Sequence, residues 1–248
     1  LGLEGWTTSD GRAAFRGGGT VDLDLVRMFA PGVPLAEGTA TLDVEAGTGV
    51  GPKGVRISLL AKDTTLRTEY FPNTFTNLDF RVDTDGTRYV LTGVEGEVGG
   101  GRLSGGGTIT TGESWWPSRF DLNAKLDDAR VQYLEYLPAM VGDADLRFDG
   151  PVGDLFMSGR IDILDMQFRD RIDWEGKIVA LQSSRLTDAA SASREDYFSM
   201  DLEVHADDTI RLRNNLADGL ASADLRIIGD TARPGMEGRI DVGAGGRV

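Results

Sequence analysis

The sequence predicts an all-β fold, built as an elongated repeat array of short, largely antiparallel strands. Three observations predict it. Apolar and polar residues alternate with a period of two through many segments, and turn residues rich in Gly, Asn and Asp recur every 8 to 14 residues. One phrase is also written twice. Residues 144–163 read ADLRFDGPVGDLFMSGRIDI and residues 223–242 read ADLRIIGDTARPGMEGRIDV, with ten of twenty positions identical at an offset of 79. Repetition of a supersecondary unit implies neighbours stacked into an elongated body.

The composition narrows the class. The 248 residues include 34 glycines, about twice the usual share, which suits many tight turns between strands. Charged residues make up 27% and hydrophobic residues 40%, the balance of a folded, water-exposed chain. A formal charge of −14 argues against nucleic acid as a partner, because phosphates require a basic surface. It also disfavours simple electrostatic docking on an anionic membrane. With no cysteine there is no disulfide or thiolate metal site. No apolar run reaches the 18 or so residues of a membrane span, and no signal peptide opens the chain. The abrupt start and stop read as those of an excised segment.

The elements follow in chain order. DLVRMFA (24–30), ending before PGVP, is expected to form two helical turns. TATLDVEA (39–46) and NLDFRVD (77–83) are alternating strands, and DTDGTR (83–88) is a hairpin turn. EGEVGGGRLSGGGTIT (95–110) places a short strand between two glycine clusters, and FDLNAKL (120–126) is the next alternating strand. VQYLEYLPAMVG (131–142) offers a second short helix before DADLRFD (143–149). Residues 183–196, polar and small, read as a loop or crossing, followed by the strands DLEVHAD (201–207) and SADLRI (222–227). Residues 120–147 align with 200–226, so the unit is near 80 residues: strand, a DD turn at Asp127–Asp128 or Asp207–Asp208, further strands and a glycine. PLAEGTATLDVEAGTGVG (34–51) is a more degenerate echo of residues 138–153.

Alternation puts Ala144, Leu146 and Phe148 on one face and Asp145, Arg147 and Asp149 on the other. Ile161 and Ile163 continue the apolar face, as do Ala223, Leu225, Ile227, Ile240 and Val242 in the second copy. Burying one Leu, Ile or Phe is worth roughly 1.5–3 kcal/mol, so such a face must be covered. A second sheet, closure into a barrel or solenoid, or an open trough filled by an apolar ligand would each do so, and the pattern alone leaves all three open.

The two phrases, with their shared M-x-G-R-[IV]-[DE]-[IV] ending at Gly150–Ile163 and Gly229–Val242, resemble the C-terminal repeats of the TamB family. Residues 210–248 are especially similar, and residues 71–110 resemble the AsmA-like strand pairs of the same superfamily. The resemblance covers the chain from about Pro34 to the end. It implies a β-sheet curled into an open trough with an apolar interior, a β-taco, with one or two short helices. Residues 34–248 would form the trough, with repeat units near 120–199 and 200–248, and residues 1–33 N-terminal strands and a short helix. It further implies a periplasmic segment of an envelope protein held in the inner membrane by an N-terminal helix absent here. The implied role is a bridge conducting phospholipid between the inner and outer membranes, or else a scaffold for outer-membrane β-barrel or autotransporter assembly. A surface adhesin with a dry core is a third class. Implied partners are phospholipid acyl chains and, through regions outside this segment, an Omp85-type TamA-like barrel.

The expected groove lining is Leu42, Val44, Leu78, Phe80, Val82, Leu122, Leu146, Phe148, Ile161, Ile163, Met166, Phe168, Leu202, Val204, Leu225, Ile227, Ile240 and Val242. Roughly eighteen strands at about 4.8 Å would span on the order of 85 Å. No enzymatic chemistry is expected, and no cofactor, catalytic set or metal site. His205, the single histidine, occupies an outward strand position aligned with Lys125. DTDGTRY begins like a calcium loop but has Arg88 and Val94 where such a loop needs Gly and Glu. GGGRLSGGG (99–107) lacks the lysine and following helix of a phosphate loop. Trp115–Trp116 reads equally as an interfacial anchor, a trough-mouth contact or an edge plug.

Overall fold

A computed structural model describes residues 2–7, 13–24, 33–69, 71, 73–113, 115–131, 140–168, 199–213, 218–230 and 233–243. Their alternating segments form thirteen strands. These are β1 (Gly2–Thr7), β2 (Ala13–Asp22), β3 (Leu35–Gly47), β4 (Val55–Arg67), β5 (Phe75–Thr84), β6 (Arg88–Val98) and β7 (Gly101–Thr111). The remainder are β8 (Pro117–Val131), β9 (Met140–Pro151), β10 (Phe156–Phe168), β11 (Ser199–Arg213), β12 (Asp218–Asp230) and β13 (Arg233–Val242). All join one sheet in strict sequence order, β1 and β2 included. Thirteen strands at about 4.8 Å make a sheet roughly 60 Å long, shorter than the expected eighteen-strand span.

Each strand packs on its two neighbours in that order, and no second layer faces the sheet among the described residues. The first and last strands do not pair, so the sheet is neither a sandwich nor a closed barrel. Yet Ala61 and Val98 are fully buried, and Leu78, Leu202 and Val204 nearly so. With nothing opposite, only neighbours on the same face can cover them, which requires the sheet to curl toward that face. Leu23, Ala36, Ala40 and Ala61 form one such cluster; Ile163, Val204, Ala206 and Ala223 form another.

Every pairing is antiparallel except β10 with β11. That exception follows from the repeat. Each copy contributes three strands, β8–β10 and β11–β13, and an odd number of antiparallel strands ends pointing the wrong way for the next copy. One parallel seam restores the direction. The 30 residues between Phe168 and Ser199 exceed the dozen or so that a parallel crossover needs. The loop expected at 183–196 lies outside the described residues.

The helix expected at 131–142 is corrected at its margins, and the aspartate turns are corrected outright. No α-helix stands among the described residues. Residues 25–30 and 132–139, the bodies of the two expected helices, lie outside them, while Val131 and Met140–Gly142 at the second one's margins are strand. The aspartate pairs do not turn the chain: Asp127–Asp128 and Asp207–Asp208 lie inside the unbroken strands β8 and β11. There they form β-bulges, as the register steps from Leu126 to Ala129 and from Ala206 to Ile210 show. Asp128 and Asp208 take φ of 56° and 53°, and Asp63 in β4 takes 50°. The three backbone N–H groups donate to Asp143 Oδ1 (2.8 Å), Ser222 Oγ (3.0 Å) and Asp79 Oδ1 (2.8 Å) on the adjoining strands. Aspartate tolerates the left-handed region better than most residues, and glycine better still. Asp128→Gly is therefore expected to be neutral or stabilising. Asp143→Ala removes the acceptor and is expected to cost about 1 kcal/mol, both measured by urea denaturation.

Candidate functional site

Residues directly opposite one another on paired strands point to the same face, so the register can be followed across the sheet as lines of side chains. One line runs from Leu42 on β3 through Leu59, Val82, Leu91, Gly107, Leu122, Phe148 and Met157 to Met200 on β11. The next line toward one end of the strands holds Val44, Ile57, Thr84, Tyr89, Ile109 and Phe120. Toward the other end run Ala124–Leu146–Gly159–Leu202–Ile227–Met236 and Leu126–Ala144–Ile161–Val204–Leu225. Beyond these come Gly142–Ile163–Ala206–Ala223–Ile240 and Met140–Met166–Ile210–Ala221–Val242.

This face of β3–β13 carries no Asp, Glu, Lys, Arg or His among the described residues. Its few hydroxyls are satisfied internally. Thr64 donates to the Leu78 carbonyl at 2.7 Å, Thr111 to Thr87 at 2.9 Å, and Tyr89 to Trp115 at 3.3 Å; the Gly86 N–H donates to Thr84 Oγ1 at 3.0 Å. What results is an uncharged apolar floor with nothing above it among the described residues.

The register places the residues expected to line a groove on this face. Phe80 stands opposite Ala61 and Leu78 opposite Thr64. Phe168 occupies the register position opposite Leu212. Leu78, Ile163, Leu202 and Val204 are buried in the floor itself, and Ile240 and Val242 on the edge strand are more than half exposed. Most of the others are half-buried. Sequence reasoning missed Leu59, Leu91, Leu126, Met157 and Met200. Leu59 was legible from Val55, Ile57 and Ala61, and was obscured by its apolar neighbour Leu60 on the opposite face. Leu91 was hidden because a bulge at Gly93, φ 59°, offsets it from Val94 by three residues.

The opposite face is charged and ordered by sign. Lys125, Asp145, Arg160, Glu203, Arg226 and Glu237 follow one another across six strands, cation and anion in turn. Ion pairs lie along and between strands: Arg226–Asp201 at 2.6 Å, Arg160–Asp162 at 2.7 Å, Arg119–Asp149 at 2.7 Å and Arg147–Asp121 at 3.0 Å. Hydrogen bonds from their arginines hold the carboxyls of Asp201 and Asp162 below the usual range, as Arg81 does for Asp83. His205 belongs to this face, opposite Asp162 and Asp224 in register, with Nδ1 2.6 Å from Asp224 Oδ1.

Lowered carboxyl pKa values stabilise the fold above the unfolded value near 4 and lose that effect as pH falls through the folded one. The melting temperature is thus expected to be level from about pH 6 to 4.5 and to fall below that. Arg226→Ala should lie below wild type at neutral pH and converge with it in acid, since protonated Asp201 has lost its partner's charge in both. Thermal melts across pH check this, and high salt should narrow the neutral-pH gap.

At one end of the strands, the β7–β8 connection carries Trp115 and Trp116, the latter 72% exposed. The Lys53 ammonium lies 5.9 Å from the Trp115 ring centre and donates to the carbonyls of Gly112 (3.1 Å) and Glu113 (3.2 Å). DTDGTR forms the β5–β6 hairpin, in which Asp85 Oδ1 accepts from the Thr87 N–H at 2.9 Å.

Comparison with family models matches residues 92–248 to the TamB C-terminal domain. Comparison with curated proteins and with solved structures gives no match.

Proposed function

Since this chain belongs to the TamB C-terminal-domain family of cell-envelope proteins, we propose that its floor carries phospholipid acyl chains across the periplasm between the inner and outer membranes. One observation supports this above the others: eleven consecutive strands present a face that, among the described residues, is uncharged and covered by no second layer. Covering it with hydrocarbon gains about 0.8 kcal/mol per buried CH₂. The floor's few hydroxyls already bond to backbone groups, so it offers a guest few directed hydrogen bonds and holds it loosely along its length. The charged outer face keeps the same sheet in water. Carriage of this kind requires no catalytic group, cofactor or metal. A TamA-like barrel would receive the lipid through regions beyond the floor.

The test is mass spectrometry of solvent extracts from the purified protein. Stoichiometric phospholipid is expected from wild type. Leu146→Asp with Leu225→Asp should remove it while the β-type circular dichroism persists, because both side chains are only half-buried. Lipid content unchanged by that pair overturns the reading. An empty floor with affinity for unfolded barrel strands would favour the assembly scaffold instead.

A further inference from the structure

The β7–β8 connection shows two indoles to water, Trp115 and Trp116, yet it is tied down from two distant places. Lys53, on the β3–β4 connection, donates to the carbonyls of Gly112 and Glu113 and lies over the Trp115 ring. Tyr89, on β6, donates its hydroxyl to the Trp115 carbonyl. These ties also fix the side of the sheet on which the connection lies. Tyr89 stands in the floor line between Thr84 and Ile109, and strand side chains project roughly perpendicular to the sheet. A carbonyl bonded to the tip of that phenol therefore lies above the floor and out of the plane of the strands. Both β7 and β8 are paired on their two sides, so the indoles plug no sheet edge. The connection is a raised lip at one end of the floor. Just inside it lie Ile109 and Phe120, half-buried and opposite one another.

We propose that this lip receives the polar end of the phospholipid, its glycerol esters and phosphate, while the acyl chains lie inward on the floor from Ile109 and Phe120. The inference rests on the lipid-carrying reading of the floor and adds the direction in which the guest lies. Its basis is the change of chemistry along the strands. The Ile109–Phe120 line is purely apolar, and the lip beyond it carries a phenol, two indoles and an ammonium. A phospholipid makes the same transition where its chains meet the glycerol. Indole, an apolar body with one N–H donor, is the side chain best suited to that junction. In this arrangement the indoles cover the ester region, and the charge of Lys53 draws the phosphate to the lip. The ties from Lys53 and Tyr89 hold the indoles at the rim, so a guest meets a formed site and not a loop that must first be ordered.

Tryptophan fluorescence with brominated phosphatidylcholine tests it, because bromine quenches an indole only at close range. The full 248-residue chain is loaded with lipid brominated either near the ester or near the methyl end of its acyl chains, and vesicles are then removed. Comparison of wild type with W115F/W116F isolates the emission of this pair from that of Trp6 and Trp174. Both side chains are exposed, so the variant is expected to keep the β-type circular dichroism; each single variant gives the same reading should the pair fail to fold. Ester-proximal bromine is expected to cause the larger loss of emission from the pair. Equal quenching by the two lipids, stronger quenching by the methyl-proximal one, or bound lipid that leaves the pair unquenched overturns the proposal while the lipid reading of the floor stands. Quenching that appears only with vesicles present assigns the indoles to a bilayer surface and overturns it as well. A chain that retains no lipid by mass spectrometry fails the reading of the floor, and the role of the lip falls with it.

Discussion

Replacing Gly159 with alanine is expected to destabilise the sheet by about 2–4 kcal/mol, a large share of a typical domain's stability. Gly159 sits in the middle of β10 with φ +144°, a region that residues with a Cβ rarely adopt. A Cβ built there would lie 2.0 Å from the Asp145 carbonyl oxygen on the paired strand β9, and neither backbone can yield without breaking the ladder. Gly238 in the second copy repeats the situation, with φ +130° and a Cβ 2.1 Å from the Asp224 carbonyl oxygen. Gly235 is the control, since its Cβ would come no closer than 3.4 Å and its φ is not left-handed. Gly235→Ala should stay within about 0.5 kcal/mol of wild type. Equal losses at Gly159 and Gly235 in urea denaturation would contradict the account of Gly159 as a fixed kink.

Val204→Asp is expected to cost about 3–5 kcal/mol, because it places an unpaired charge where the floor is most enclosed. Val204 is 7% exposed, in contact with a cluster that includes Ile161, Ile163, Ala206 and Leu225. Among the described residues no cation shares that face to receive a carboxylate. Leu146→Asp, on the same floor but half-buried, should cost clearly less, because its carboxylate can turn toward the open side. The contrast separates an open floor from a closed core, in which both would be equally damaging. Thermal denaturation of the two variants side by side measures it.

Many of the strands and the apolar face were legible because alternation is a local signal that each strand repeats. Leu146, Phe148, Ile161 and Leu225 could be placed without any tertiary information. The bulges were not. LDDA and ADDT look like turns because aspartate pairs favour turns, and only the opposing Asp143 and Ser222 show that the ladder continues through them. The β8 bulge also rescues the pattern: Leu126 and Ala129, three apart in sequence, would face opposite ways in a regular strand. The glycine of the shared M-x-G-R ending was visible as a repeat feature. Its role as a mid-strand kink depends on a carbonyl of the paired strand, 14 residues away in sequence, and was not visible. The choice among sandwich, barrel and open sheet likewise lay beyond the alternation, since all three bury the same residues.

The parallel seam has a consequence for how the array grows. Leu202 is the repeat equivalent of Leu122, yet it stands in the line of Ala124, one line over. Leu225, equivalent to Leu146, is displaced by the same step. Each copy therefore slides two residues along the strand, about 7 Å, while advancing three strands, about 14 Å. The array is a shallow screw, its equivalent positions climbing at roughly 25° to the line of advance. Bulky Phe148 and its smaller counterpart Ile227 thus fall in different lanes, as do the kinks at Gly159 and Gly238. On the proposed reading, a guest moving straight down the floor would meet equivalent side chains of the two copies in different lanes, its path smoothed by the pitch of the screw.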